Sequence, residues 1–254
     1  MKKHRSFLLL IVFLTMCAVA QAQTAGAIYV EYGYPEISKA DQAMMTMYGY
    51  TKYRVYADDQ FLSVENLQDL PADMAAQVGA GLQTSFTKDR KTNEVFLCMT
   101  VGDDRIRKKA DQEERAQFDV MTRMFASTDG NVLIMTNQRK EINGYNCHQY
   151  LILREETADT LTVYLTPAIN PGPSVKDFPM SLATNGEFYG VILGRDDKAW
   201  DGSILAFRAL RVELNKPKNM GAELASYRTV TEEEGNAIIK AWMTKQMGGA
   251  NEKK

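Results

Sequence analysis

The chain has 254 residues, with 30 Lys+Arg against 32 Asp+Glu and a formal net charge of −2. It contains no basic block, so the electrostatic footprint of a nucleic-acid binder is missing. No Ser/Gly-rich linker, low-complexity tract or helical repeat interrupts it, which makes one large β-rich domain the simplest organisation.

The first 22 residues stand apart. Lys2, Lys3 and Arg5 precede an apolar run from Phe7 to Val19, followed by the small-x-small triplet Ala20-Gln21-Ala22. This is the pattern of a secretory signal peptide cleaved between Ala22 and Gln23. The run falls short of the roughly 20 residues a membrane span needs, and no later stretch reaches that length. The expectation is an exported protein, periplasmic or secreted, that does not span the membrane. Acylation of Cys17 as a lipoprotein anchor is a competing reading, and the large Met16 before it speaks against that. The mature chain would carry 27 Lys+Arg against 32 Asp+Glu, a net charge of −5. The expected organisation is a signal peptide over 1–22, a single domain over 23–249 and a polar tail over 250–254.

Beyond residue 26, short alternating runs rich in Val, Ile, Tyr, Phe and Thr are separated by polar turns, the signature of antiparallel sheet. The segment 27–34 places Ile28, Val30, Tyr32 and Tyr34 on one face. The segment 51–66 reads as a hairpin turning at Asp58-Asp59, and 82–101 as another turning over Arg90 to Asn93. A strand begins in 129–136. The clearest hairpin is 146–167, turning in 155–159. Strands at 187–194 and 203–214 follow, giving nine or ten in all. Helices are few. In 231–249, Thr231 and Glu234 have capping-box spacing, and Ile238, Ile239, Trp242 and Met243 share a face. In 111–126, Phe118, Met121 and Phe125 align. Shorter helical pieces are expected near 72–82 and 174–183. The fold class is α+β, mainly antiparallel β: a curved open half-barrel sheet with one to three helices on its concave face, covering apolar surface that a closed barrel would not expose.

Cys147 and His148, in "GYNCHQY", invite a catalytic or metal reading. Successive strand side chains point to opposite faces. A strand over 145–153 therefore puts Tyr145, Cys147 and Gln149 on one face and His148 on the other, and denies the pair a dyad. The mature chain keeps two cysteines and one histidine, too few for the four Cys/His ligands of a structural zinc. There is no G-x-S-x-G elbow for a serine nucleophile. No catalytic, cofactor or metal residue is assigned. Cys98 is the other mature cysteine. In an oxidising compartment an even pair suggests a Cys98–Cys147 disulfide, with two separately buried thiols as the alternative.

The mature region is rich in methionine, which adapts to varied apolar partners. One reading is a deformable apolar cleft lined by Met45, Met47, Met99, Met121, Phe125, Met135, Ile238 and Trp242. The other is ordinary core filling.

Residues 138–194 carry a family resemblance. Ile142, Gly144, Tyr145 and Cys147 match an "I-x-G-Y-x-C" pattern, and Tyr164, Thr166 and Ile169 match the strand and turn beyond it. The segment resembles a group of uncharacterised exported proteins of Gram-negative bacteria, related to the GLPGLI family. Where that family has its namesake stretch, this chain has "EFYGVILG", retaining Gly190, Ile192 and Leu193 but not the proline. These families are similar to the periplasmic lipoprotein-carrier superfold, a half-barrel plugged by helices. The resemblance implies an apolar cleft for a lipid or lipoprotein and supplies no catalytic residues. The expected function is non-catalytic binding of a lipid, an acylated protein or another apolar ligand in the cell envelope. The alternative is a protein–protein interaction or structural module.

Overall fold

A computed structural model describes residues 23–24, 26–35, 52–67, 82–123, 132–154, 159–172, 178–184, 187–198, 202 and 204–249. The signal segment with Cys17, the tail, and Met45, Met47 and Phe125 lie outside the described residues.

The strands are β1 (Gln23–Thr24), β2 (Ala27–Gly33), β3 (Lys52–Asp58), β4 (Phe61–Leu67), β5 (Leu82–Asp89), β6 (Glu94–Val101), β7 (Asp104–Lys109), β8 (Val132–Ile142), β9 (Tyr145–Arg154), β10 (Asp159–Thr166), β11 (Ile169–Asn170), β12 (Ser181–Thr184), β13 (Glu187–Lys198), β14 (Ile204–Leu214) and β15 (Arg228–Thr229). The helices are α1 (Gln112–Arg123), α2 (Met220–Ala225) and α3 (Glu232–Gly249). Thirteen strands form one open, mostly antiparallel sheet in the order β15-β7-β6-β5-β4-β3-β2-β14-β13-β10-β9-β8, with β12 also paired to β13. β1 and β11 make a separate parallel pair.

The turns follow from local chemistry. Asp58 Oδ1 accepts from the backbone N–H of Gln60 at 2.8 Å and of Phe61 at 2.6 Å, closing β3–β4 where the Asp58-Asp59 signal predicts it. Asp89 Oδ1 caps Lys91 N at 2.8 Å and Thr92 N at 3.1 Å in the β5–β6 turn, which ends with Asn93 at φ 59°. Between β8 and β9, Asn143 and Gly144 have φ of 54° and 79°, both positive as a two-residue type I′ hairpin turn requires.

The register separates two faces. On the inner face, Val212, Val30, Val55, Val64, Phe86 and Leu97 stand opposite one another across six strands. On the outer face, Arg211, Glu31, Arg54, Glu65, Ser85, Cys98 and Arg107 form a matching polar row. The main core lies on the inner side, where the Phe207 ring stacks on Tyr32 at 5.6 Å and meets Tyr34 at 5.1 Å and Tyr53 at 5.9 Å. α1 and α3 cover this face. α1 sends Phe118 to within 6.0 Å of Phe86, and the Lys108 ammonium pairs with Glu114 at 2.8 Å. α3 packs Ile238, Ile239 and Trp242 over Met99, Val101, Ile106 and Val230. Its start is the expected capping box: Glu234 N donates to Thr231 Oγ1 at 3.2 Å, and Thr231 N donates to Glu234 Oε2 at 2.9 Å.

α1 and α3 make two helices on the inner face, within the one to three expected, and α2 lies in addition on the outer face, where Met220 packs with Ala27, Tyr29 and Tyr56. One expectation changes. The described part of the 174–183 helical expectation is a turn followed by β12. Its proline-flanked apolar residues Phe178, Met180 and Leu182 instead bury into the core beside β13. β8 runs to Ile142, well past residue 136, because Asn143-Gly144 supplies the turn.

Candidate functional site

The described members of the expected cleft fall in three places. Met99, Ile238 and Trp242 meet in the α3 cluster. Met121 packs on the main core beside Phe118. Met135 is 61% exposed on β8, whose only neighbouring strand among the described residues is β9. The sequence could not separate these methionines, because which strand neighbours which is decided by long-range pairing.

Cys98 and Cys147 are both free and buried, so the expected disulfide is not formed. The reason is topological. Cys98 on β6 and Cys147 on β9 are separated by seven intervening strands of the same sheet, and neighbouring strands lie about 4.8 Å apart. Burial pushes the Cys98 thiol up to about 11, with the Arg107 charge opposing the rise. Burial likewise pushes the Cys147 thiol up to about 12. Neither is a ready nucleophile, since the reactive form is the thiolate. Cys147 stands opposite Lys140, and His148 opposite Arg139 and Leu165, so the two point to opposite faces as strand alternation requires.

Charged side chains gather at two sites that the sequence reading did not single out. Near the C-terminal end of β13, Asp196 pairs with Arg208 and accepts from the Tyr164 hydroxyl at 3.0 Å on one face. On the other face, Asp197 pairs with Arg195 at 2.6 Å and accepts from the Tyr34 hydroxyl at 3.0 Å. Burial and the Asp197 charge push Tyr34 up to about 12. Each carboxylate is answered by a guanidinium and a phenol, an arrangement that ties strands together rather than one that presents a reactive group.

The second site is a polar pocket on the outer face, under the 216–227 segment. It is lined by Tyr29, Arg54, Ser63, Thr87, Cys98 and Lys218 among others, and encloses about 40 Å³. That volume holds about three waters at ~10–15 Å³ each. Arg54 sits between Glu31 at 3.2 Å and Glu65 at 3.5 Å, the Ser63 and Thr87 hydroxyls are 3.1 Å apart, and the Lys218 ammonium lies 4.3 Å from the Tyr29 ring centroid. The Arg54 guanidinium is already neutralised by two carboxylates, the Lys218 ammonium lies near the Tyr29 and Tyr56 rings, and the Cys98 thiol is held protonated, so the pocket is suited to ordered water rather than to bond-making. Alternation puts Glu31, Arg54 and Glu65 on the polar side of three strands, and that pattern was the available signal. Among the described residues no three His, Cys, Asp or Glu side chains gather as a metal site, and no helix is long and apolar enough to cross a membrane.

No family model matches the sequence, and no curated protein matches it. Two structures of PNGF-II, in the P21 and C2 space groups, are similar at TM-scores of 0.39 and 0.37, with 13% and 11% identity over 86% and 87% of this chain. The chain spans about a third of the length of those proteins, 34% and 33%. A likeness that distant carries no argument about catalysis or ligand.

Proposed function

We propose that this is an exported, non-catalytic envelope protein that binds a lipid, an acylated protein or another apolar ligand against the inner face of its open sheet. The observation that carries this reading is the apolar row Val212, Val30, Val55, Val64, Phe86 and Leu97, with α1 laid over its far end. α1 contributes Phe118 and Met121 to that face and is fastened by the Lys108–Glu114 ion pair. A bound acyl chain would gain about 0.8 kcal/mol per buried CH₂ without any charged ligand-binding group. The signal-like first 22 residues and the resemblance of 138–194 to exported families support the compartment.

The test uses delipidated protein, native mass spectrometry and displacement of a fluorescent fatty acid. A retained apolar mass, a stoichiometric displacement curve and weaker binding in Phe118→Ala are expected. Displacement absent at saturating fatty acid, with no co-purifying mass, overturns the reading.

A second reading, a protein–protein interaction module, is favoured by one observation. β8 is an eleven-residue strand at the end of the sheet order, with exposed apolar side chains.

A further inference from the structure

β8 consists of two unlike halves. Its register with β9 is regular from Val132 to Met135, slips, and resumes at Arg139. In the first half Val132, Ile134 and Met135 are 47%, 41% and 61% exposed. Val132 and Ile134 share the outer face with Leu153 and Leu151 opposite them, while Leu133 and Met135 share the inner face with Ile152 and Tyr150. In the second half Arg139, Lys140 and Glu141 are exposed. Proteins blunt edge strands with charge and with irregular pairing. Here those devices protect only residues beyond 135, and the first half keeps an apolar edge with no partner strand among the described residues.

A second copy of the chain fits this edge poorly. Antiparallel self-pairing that keeps like faces together and uses the whole strand sets Val132 against Ile142, Leu133 against Glu141, Ile134 against Lys140 and Met135 against Arg139. Three of those four contacts bury an apolar side chain against a charge. Self-pairing confined to the apolar half joins only four residues.

We propose that the β8 edge takes an extended segment of a different protein as an added antiparallel strand. That segment is apolar where it meets residues 132–135 and acidic where it meets Arg139 and Lys140. Strand addition draws affinity from main-chain hydrogen bonds and specificity from alternate side chains. Antiparallel direction puts the acidic residues N-terminal to the apolar run. The inference rests on the interaction-module reading and names its partner's chemistry.

The probe is a short acetylated peptide with two glutamates N-terminal to an alternating Thr-Val run. It is compared with its scrambled form and with a version carrying lysines for the glutamates. Binding is followed by fluorescence anisotropy and by hydrogen exchange of the amides of 132–135, and sedimentation of the free protein is run alongside. The expected result is protection of those amides and preference for the acidic peptide over the other two by at least tenfold. Loss of binding is expected in Ile134→Lys/Met135→Lys, and reversed charge preference in Arg139→Glu/Lys140→Glu. Circular dichroism checks that both variants fold. Equal binding of all three peptides overturns the acidic-partner proposal. A dimer that Ile134→Lys/Met135→Lys dissolves, without peptide binding, overturns it while leaving the edge as an interaction surface. Neither peptide binding nor self-association overturns both the proposal and the interaction-module reading.

Discussion

Burial holds the Cys98 thiol at about 11 and the Cys147 thiol at about 12, against an ordinary value of 9.0. The thiolate fraction of Cys98 at neutral pH is thereby lowered ~100-fold, since two pKa units are two decades. Native protein should react with a thiol reagent at pH 7.5 at least ~100-fold more slowly than protein unfolded in guanidinium, and the unfolded chain should yield both thiols without reductant. Rapid reaction of either thiol in the folded state would contradict this. The same shifts set an alkaline limit. The folded pKa values are raised, so the folded state holds protons that the unfolded state releases above about pH 9. The stabilisation is complete below the unfolded value and is lost as pH rises toward 11 to 12. The melting temperature should therefore fall between pH 9 and 11, and fall less steeply in Cys147→Ala. Gly190 is a second residue whose role is local. Its φ is 152°, and an added Cβ would sit 2.6 Å from the Thr166 carbonyl oxygen. Gly190→Ala should cost about 3 kcal/mol in urea unfolding, because backbone rather than a flexible side chain must give way. That Cys147 and His148 face apart was legible from strand alternation. The separation of Cys98 from Cys147 was not, because it depends on how many strands intervene.

At the level of single elements, what the sequence reveals is what short-range chemistry decides. The Asp58 and Asp89 turns and the Thr231–Glu234 box each form within three residues, and all were readable. Asn143-Gly144 was equally readable, and taking it as the turn it is extends β8 to Ile142. The segment 178–184 misleads because its apolar residues are decided by burial beside β13, which overrides a weak helical pattern. α1 shows how an element is fastened. Its first turn repeats the capping-box geometry, with Glu114 N donating to Asp111 Oδ1 at 2.8 Å and Asp111 N donating to Glu114 Oε2 at 3.1 Å. The other Glu114 oxygen pairs with Lys108, whose side chain is only 7% exposed. Removing one partner strands a buried charge, whereas removing both does not. Lys108→Met should therefore destabilise by about 3 kcal/mol. The double variant Lys108→Met/Glu114→Gln, which keeps a polar cap without the charge, should recover about half or more of that loss. A double variant no more stable than Lys108→Met would show that the pair contributes nothing beyond the packing of the lysine stem.

The whole sheet is two meanders joined at one seam. β2 to β7 pair in chain order on one side, and β8, β9, β10, β13 and β14 do so on the other. Among the described residues of this sheet, β2 against β14 is the pairing that connects them, with Arg208 to Leu214 running opposite Gly33 to Ile28. The backbone N–H of Asn215 donates to the Ala27 carbonyl at 2.8 Å, and Gly26 N donates to Asn215 Oδ1 at 2.8 Å, closing the seam's end. Consecutive hairpins could be read from the sequence, but a seam between residues about 180 apart could not, and it is the seam that makes one continuous inner face out of two. This division also predicts how the molecule folds. Contacts within a meander close short loops, whereas the seam must close a very long one, and pairings of that kind form late. Val64 on β4 lies inside the first meander, and Val212 on β14 meets Val30 across the seam. Val64→Ala should cost about 2 kcal/mol and Val212→Ala about 1 kcal/mol, the second being only partly buried. If the seam is absent from the transition state, the Val212→Ala loss appears almost wholly as faster unfolding, while Val64→Ala also slows refolding. Stopped-flow refolding and unfolding limbs for the two variants decide the matter. Slower refolding in Val212→Ala, with unfolding unchanged, would mean that the seam forms first and the meanders assemble on it.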